Sequence, residues 1–298
     1  MQTAVVFPGQ GAQFVGMGKA FFNFDPLAKE VLRECSEGSG FDLERIILQG
    51  PEKALTKTTV AQPAIFAVSL AIYRSLSNSL DFEPNYVAGF SLGQYSALCA
   101  SEVFDVRKGA ELLKLRGQYM QETKEGRMAA IIGMDLGLIK ETLLGMEEYV
   151  DVANLNCPGQ TVISGTKAGI VEAVEILKHK GAKRAIPLKV SGAFHSKLME
   201  EAAKKFQRVL DKESFAKPKF PVIANETAEE ISDVKASLYN QLTSPVLWQD
   251  SICYLKSKGV TRFIEVGPGK VLSGLIKKID GSLEVINIEE PSDMEKLR

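Results

Sequence analysis

The sequence predicts an α/β protein in which helices cover both faces of a mostly parallel sheet and a small second domain is inserted. In the outer parts of the chain, short apolar strands alternate with helical patterns, as they do in parallel sheets. In the middle, the predicted order is β-α-β-β-α-β, the split βαβ arrangement of a compact unit. We therefore expect a large domain formed by residues 1–124 and 191–298 and a small domain formed by residues 125–190.

The elements before residue 125 follow from apolar runs and from the residues that end them. Residues 3–7 are largely β-branched and apolar, and Pro8 and Gly9 follow, which predicts a buried strand that leads into a loop. Asp25 before Pro26 is typical of a helix N-terminus. The other elements predicted here are a buried helix at 61–76, a strand at 86–89, and helices at 92–100 and 106–122.

The elements after residue 125 are predicted in the same way. In the small domain they are strands at 128–134, 149–153, 161–164 and 183–187, with helices at 136–144 and 168–179. After it come helices at 197–210 and 251–257, strands at 220–224 and 262–266, and a helix after Gly269.

Composition and charge exclude several classes of protein. The 298 residues are 45% hydrophobic, and 36 basic against 37 acidic residues leave a formal charge of −1, so we expect no nucleic-acid partner. The four cysteines form no CxxC pair, which argues against a disulfide framework or a zinc site. The N-terminus lacks a signal-peptide pattern, and a long charge-free stretch, 84–101, contains glycines and polar residues. We expect a cytoplasmic protein without membrane spans, metal or other cofactor.

A Gly-x-Ser-x-Gly pattern at 89–93 is the sharpest local signal for chemistry. It follows a predicted strand and begins a predicted helix, which is the setting of a nucleophile elbow. At a helix N-terminus, backbone N–H groups stabilise negative charge beside the serine. The alternative is a glycine-rich turn that holds an incidental serine. We interpret Ser91 as the candidate nucleophile and the N–H of Leu92 as one oxyanion donor.

A serine nucleophile needs a base, and the chain contains two histidines. His179 lies between two lysines at a predicted helix C-terminus, where a solvated cap explains it. His195 lies in a loop of small residues, so a Ser-His mechanism has to use His195. No acidic partner for it stands out, and a backbone or amide oxygen can orient an imidazole instead.

Arg116 lies at the edge of the apolar stripe of the predicted helix 106–122. Two interpretations remain open: a side chain that extends to solvent, or a partly buried cation that binds a carboxylate. Two glycine-rich loops, at 7–13 and 267–270, lack the spacing of dinucleotide or P-loop motifs. A loop that follows a neighbouring strand is instead a candidate for the second oxyanion N–H.

Six segments together resemble the malonyl-CoA:acyl carrier protein transacylase family, and they cover nearly the whole chain. They are FPGQGAQ at 7–13, GFSLGQ at 89–94, LRG at 115–117, NLNCPGQTVISG at 154–165, AFHS at 193–196 and EVGPGKVL at 265–272. The resemblance implies an α/β-hydrolase-like large domain with a ferredoxin-like insert.

The resemblance also implies roles for individual residues. It makes Ser91 the nucleophile, His195 the general acid/base, Gln10 and Leu92 the oxyanion donors, Arg116 the carboxylate-binding residue, Gln249 the residue that orients the histidine, and Asn154 and Asn156 neighbours of the active site. Phe194 matches a family feature that accompanies malonyl over methylmalonyl selection. Phe90 and Gln94 depart from the histidine and glutamate that the family usually carries.

The implied reaction is transfer of a malonyl group from malonyl-CoA to holo acyl carrier protein, in fatty acid or polyketide synthesis, by an expected monomer. Lys183, Arg184 and Lys189 are candidates for contact with an acidic carrier. A serine hydrolase acting on acyl-CoA or acyl-carrier thioesters is the alternative, since it uses the same Ser91 and His195. A carrier-binding module without catalysis ranks last.

Overall fold

A five-stranded parallel sheet forms the centre of the protein, and the computed structural model describes residues 2–123, 126–190 and 192–297. Its strands are β1 (Gln2–Phe7), β2 (Tyr86–Gly89), β7 (Val222–Ile223), β8 (Val260–Val266) and β9 (Glu284–Ile288). They lie in the order β7-β2-β1-β8-β9, and every neighbouring pair is parallel. The side chains of residues 4–7 in β1 are fully buried. The prediction of a parallel sheet is confirmed.

A separate four-stranded antiparallel sheet is formed by the middle of the chain. Its strands are β3 (Arg127–Ile132), β4 (Val150–Cys157), β5 (Gln160–Gly165) and β6 (Arg184–Pro187), with helices α8 (Leu136–Leu144) and α9 (Lys167–His179). The order β4-β5-β3-β6 is that of a ferredoxin-like fold, which confirms the predicted insert. The predicted domain boundaries at 124/125 and 190/191 involve residues 124, 125 and 191, which lie outside the described ranges.

The remaining helices surround the parallel sheet. They are α1 (Lys19–Phe24), α2 (Pro26–Ser39), α3 (Leu43–Gln49), α4 (Glu52–Leu55), α5 (Thr58–Leu80), α6 (Gly93–Ala100), α7 (Val106–Glu122), α10 (Glu200–Leu210), α11 (Val234–Asn240), α12 (Trp248–Ser257) and α13 (Val271–Ile279). The carboxylate of Asp25 accepts from the backbone N–H of Leu27 at 2.9 Å, as predicted for an N-cap. Helix α5 is long and apolar enough to cross a membrane, but 89% of that stretch is buried inside the protein, as in a core helix.

Some elements differ from the prediction. The short helices α1, α3, α4 and α11 and the edge strand β9 were not predicted. The helix predicted at 197–210 begins as a 3₁₀ turn, Lys197–Met199, before α10, and the strand predicted at 220–224 contains only the two residues of β7. After β7 the chain continues to Asn225, whose side chain bonds to the backbone at the carboxyl end of β2.

Two glycines allow the turn between β2 and α6 to pack against β1. The parallel pairing places Phe7 opposite Gly89, so both strands end at the same edge of the sheet. A Cβ on Gly89 would lie 1.9 Å from the backbone of Gly93, and a Cβ on Gly93 would lie 2.3 Å from the carbonyl oxygen of Phe7. The turn therefore requires glycine at both positions.

We expect Gly89→Ala to lower the free energy of unfolding by at least about 3 kcal/mol, because the new methyl group meets backbone atoms that cannot move away. Gly274→Ala is the matched control, since a Cβ there meets nothing within 4 Å. Gly274 lies inside α13, so alanine should stabilise the protein by up to about 1 kcal/mol. Urea unfolding of both variants measures this. Equal stability of the two variants would contradict the required turn.

Candidate active site

Ser91 occupies the turn between β2 and α6 in a left-handed backbone conformation, with φ of 54°. Residues other than glycine seldom adopt this conformation, and it is common where a side chain is held for function. The Ser91 Oγ lies 2.8 Å from Nε2 of His195. The sequence-predicted nucleophile and base therefore lie within hydrogen-bond distance.

His195 is 4% exposed and also has a positive φ, 56°. Its Nδ1 lies 2.9 Å from the main-chain carbonyl oxygen of Gln241. A carbonyl oxygen only accepts, so Nδ1 carries the proton and Nε2 is free to accept the serine proton. The resemblance assigned the orienting role to Gln249, whereas the structure places Gln241 against the imidazole. Gln249 lies in the first turn of α12 and makes no hydrogen bond to His195 in the part of the chain that the structure describes.

The histidine is held in its neutral form. Burial lowers the pKa of His195 to about 4, and the nearby guanidinium of Arg116 adds to this effect. The hydrogen bond to the Gln241 carbonyl acts in the opposite direction but is weaker. At neutral pH the imidazole is therefore a free base beside the serine hydroxyl.

Arg116 is 1% exposed and does not extend to solvent. Its Nη1 donates to Oε1 of Gln62 at 2.9 Å, and its Nη2 donates to Oε1 of Gln241 at 3.0 Å and to Ser91 Oγ at 3.1 Å. Its carbon Cζ lies 5.5 Å from the ring centroid of Tyr95. Among the described residues, no carboxylate pairs with this guanidinium, and its Nε has no hydrogen-bond partner. A buried cation with neutral partners attracts an anion.

A cavity of about 460 Å³ opens beside the serine, between the two sheets. Its walls include the predicted residues Gln10, Ser91, Asn154, Asn156, Phe194 and His195. Strand β4 supplies the two asparagines, and its residue Leu155 donates its N–H to the carbonyl of Val246 at 2.9 Å, which joins the antiparallel sheet to the rest of the protein. Within the described ranges, no three His, Cys, Asp or Glu side chains cluster as metal ligands do.

The two predicted oxyanion donors lie at the ends of adjacent strands. Gln10 follows β1, and Leu92 follows the serine. A Cβ on Gly9 would lie 2.6 Å from the carbonyl oxygen of Phe90, so the two turns are in close contact. In the described part of the chain, neither the Gln10 nor the Leu92 backbone N–H has a protein acceptor in a turn or cap.

Three residues of this site were not identified from the sequence: Gln62, Asn225 and Gln241. Gln62 carried a usable signal, because it is a polar residue inside the predicted buried helix and is 1% exposed. Asn225 and Gln241 follow a two-residue strand and a seven-residue helix, and no motif marks them.

The two departures from the family pattern have defined environments. Phe90 lines the cavity and packs edge-on against Trp248, with ring centroids 5.6 Å apart. Gln94 is fully buried, where its Oε1 accepts from the backbone N–H of Asn225 at 2.8 Å and its Nε2 donates to Ser237 Oγ at 3.0 Å.

A strained serine after a parallel strand, bonded to a neutral histidine and bordered by free backbone N–H groups, defines an enzyme of covalent acyl transfer. Similarity to known proteins specifies the family. The family described as acyl transferase domain matches residues 4–286. A malonyl CoA-acyl carrier protein transacylase of Bacillus subtilis is 44% identical over 301 residues, which cover 98% of this chain and 95% of that relative.

Solved structures agree with this result. The malonyl-CoA:acyl carrier protein transacylase of Xanthomonas oryzae has a TM-score of 0.96 at 37% identity and covers 100% of this chain and 98% of its own. A malonyl-transacylase in complex with a type II PKS acyl-carrier protein has a TM-score of 0.96 at 36% identity, with coverage of 99% and 98%. The chain belongs to the malonyl-CoA:acyl carrier protein transacylase family and is an acyltransferase.

The protonation state of His195 predicts the pH dependence of Ser91 reactivity. Because the free base is the active form and its pKa is about 4, the rate constant for Ser91 labelling by a sulfonyl fluoride should stay level from about pH 8 to about pH 5.5. Below about pH 4 it should fall about tenfold per pH unit.

Arg116→Met tests the second cause of the low pKa, because it removes the charge and retains most of the side-chain volume. The midpoint should then move upward, toward the ordinary histidine value of about 6.5. A parent midpoint already near about 6.5 would contradict the buried neutral imidazole.

Proposed function

We propose that this chain transfers the malonyl group of malonyl-CoA to the phosphopantetheine thiol of acyl carrier protein through a malonyl ester of Ser91. The observation that carries the proposal is the guanidinium of Arg116, buried without a carboxylate partner among the described residues and 3.1 Å from the nucleophile oxygen. A diacid thioester supplies both the carbonyl that the serine attacks and the carboxylate that this cation binds. Relatives across nearly the full chain carry the matching name.

In the first half-reaction, the Ser91 Oγ attacks the thioester carbonyl while His195 Nε2 takes the serine proton. A C–O bond forms, the C–S bond breaks, and the imidazolium returns the proton to the coenzyme A thiolate. In the second half-reaction, the carrier thiol gives its proton to His195 and attacks the ester. The C–S bond forms, the C–O bond breaks, and Ser91 regains the proton.

The backbone N–H groups of Gln10 and Leu92 are proposed to hold the oxyanion in both steps. They belong to the two turns at the carboxyl ends of β1 and β2, which Gly9 allows to touch. Backbone donors fixed in this way stabilise the tetrahedral intermediate without moving during the reaction.

Asn154 and Asn156 are proposed to bind the pantetheine arm that both substrates share. They are 6% and 7% exposed, both line the cavity, and Oδ1 of Asn156 has no partner in the described structure. A buried acceptor of this kind is satisfied by an amide N–H of the ligand. Phe194, 6% exposed at the cavity wall, is proposed to crowd a methyl group on the α-carbon, an effect of about 1–3 kcal/mol.

The finer biological assignments belong to this proposal. We propose a cytoplasmic monomer that serves fatty acid or polyketide synthesis and meets its carrier near the cavity mouth. Lys189 lines that cavity, and Lys183 and Arg184 are exposed on the same segment of the small sheet. The large domain (1–124 and 191–298) and the small domain (125–190) are proposed as separate units, each built around one of the two sheets.

Incubation with malonyl-CoA should add one malonyl group to Ser91, seen by intact and peptide mass spectrometry. Adding holo carrier protein should remove it from the enzyme and add it to the carrier thiol. Ser91→Ala is the control that should carry no adduct. Loss of the adduct to free malonate, with an unmodified carrier, would favour the serine hydrolase instead.

Arg116→Ala should lower kcat/KM for malonyl-CoA by about 10²-fold or more, because the substrate carboxylate loses its only proposed cation. Acetyl-CoA has no carboxylate, so its kcat/KM should change much less. Arg107→Ala, at an exposed position of the same helix, is the matched control and should change neither. An unchanged ratio of malonyl to acetyl kcat/KM in Arg116→Ala would refute the carboxylate role.

A further inference from the structure

Asn225 lies just beyond β7, beside the carboxyl end of β2, and is 1% exposed. It is not among the residues that line the cavity, and in the described part of the chain it makes no hydrogen bond to the histidine ring. Two hydrogen bonds of its side chain go instead to the backbone of the nucleophile turn, residues 89–93. Two separate parts of the chain are joined there, because 134 positions separate Asn225 from Ser91.

Both ends of the Asn225 side chain are used on that turn. The backbone N–H of Ser91 donates to Oδ1 at 2.8 Å, and Nδ2 donates to the carbonyl oxygen of Gly89 at 2.7 Å. Because one end must accept and the other must donate, the orientation of the amide is determined by its neighbours. Only an amide, or a protonated carboxyl of the same shape, supplies this pair of bonds.

The asparagine is itself held from three sides. Its backbone N–H donates to Oε1 of Gln94 at 2.8 Å, and its carbonyl accepts from the N–H of Leu247 at 2.8 Å. Nε2 of Gln241 donates to Oδ1 of Asn225 at 3.1 Å and to the carbonyl of Ser91 at 2.9 Å. These bonds fix the position of Asn225, so that its side chain holds the turn like a clamp.

The nucleophile turn needs such a clamp. A non-glycine residue in the left-handed region costs about 1–3 kcal/mol and persists only where surrounding contacts enforce it. The Gly89 carbonyl and the Ser91 N–H belong to the two peptide groups that lead into Ser91, one on each side of Phe90. Leaving either unpaired in the interior would cost about as much again. The position of the Ser91 Cα, and with it the direction of Ser91 Oγ, depends on these two peptide groups.

We infer that Asn225 is a positioning residue for acylation: it clamps the two peptide groups that lead into Ser91 and thereby aims Ser91 Oγ at His195. The inference rests on the proposed function, because it concerns the rate at which the malonyl ester forms. Asn225 acts through the turn and contacts no substrate. Loss of the clamp therefore slows acylation and leaves the affinity for malonyl-CoA unchanged.

Single-turnover acylation with excess malonyl-CoA separates positioning from folding. In Asn225→Ala the maximal rate constant for malonyl-Ser91 formation should fall by on the order of 10²-fold, with the half-saturating malonyl-CoA concentration unchanged within about twofold. A purely structural role would lower the amplitude, which counts folded enzyme, and leave the rate constant as it is. Asn85→Ala is the matched control, since Asn85 Oδ1 accepts from the Thr3 N–H at 2.8 Å at the opposite end of the same strands.

Asn225→Asp tests the clamp without removing volume. A carboxylate accepts from Ser91 but repels the Gly89 carbonyl, whereas a protonated carboxyl restores both bonds. Four ionisable groups surround this position. Gln241 links Asn225 to Arg116 and to His195 by hydrogen bonds. Tyr95 lies next to Arg116, and Glu226 follows Asn225 in the chain. Since burial disfavours the carboxylate, the rate constant of the variant should rise as pH falls from about 8 to about 5.5, while that of the parent stays level.

The outcomes are distinguishable. If the parent forms no malonyl-Ser91 ester, the proposed function fails. If the parent forms it and Asn225→Ala acylates at the parental rate constant, the positioning role fails alone. The positioning role also fails alone if the pH profile of Asn225→Asp is parallel to that of the parent.

Discussion

The active centre depends on the hydrogen bonds of the buried Arg116 guanidinium, whose acceptors in the described structure are all neutral. Burying a cation costs several kcal/mol even after relaxation, so each acceptor around it has to be fixed. Gln62 on α5, Gln241 after α11 and Ser91 after β2 provide them. Three distant segments of the chain are therefore drawn to one atom group, and the nucleophile itself is among them.

The backbone around that cation is held in strained conformations that place the reacting groups. Ser91 and His195 both have positive φ, and neither is a glycine. Such conformations persist because amide side chains and main-chain carbonyls pair the peptide groups that no helix or strand serves. The side chains of Asn225 and Gln241 pair the N–H and the carbonyl of Ser91. The main-chain carbonyl of Gln241 accepts a hydrogen bond from the imidazole of His195.

Sequence reasoning identified Ser91, His195 and Arg116 and missed Gln62, Asn225 and Gln241, which hold these groups in place through amide groups. The glycines around Ser91 form a local pattern, so Ser91 was predictable, and the order of strands and helices predicted both sheets. The period of α7 left two interpretations of Arg116 open, and the family resemblance gave its role. The orienting group of His195 is a main-chain carbonyl, and a main-chain acceptor leaves no trace in residue type, which is why Gln249 was assigned in place of Gln241. The seven-residue helices α3 and α11 were missed because so short a segment shows too little periodicity, and their formation depends on tertiary packing.

The cation that is proposed to bind a diacid also lowers the pKa of the base. Burial is the main cause of the low pKa of His195 and Arg116 adds to it, so the imidazole is a weak acceptor of the serine proton. On the proposed function, a malonyl carboxylate bound to Arg116 offsets the contribution of the guanidinium and shifts the pKa of His195 upward, while the effect of burial remains. An acyl group without a carboxylate leaves the contribution of the guanidinium in place. On the proposed function, binding of the far carboxylate and activation of the nucleophile therefore involve the same charge, that of Arg116.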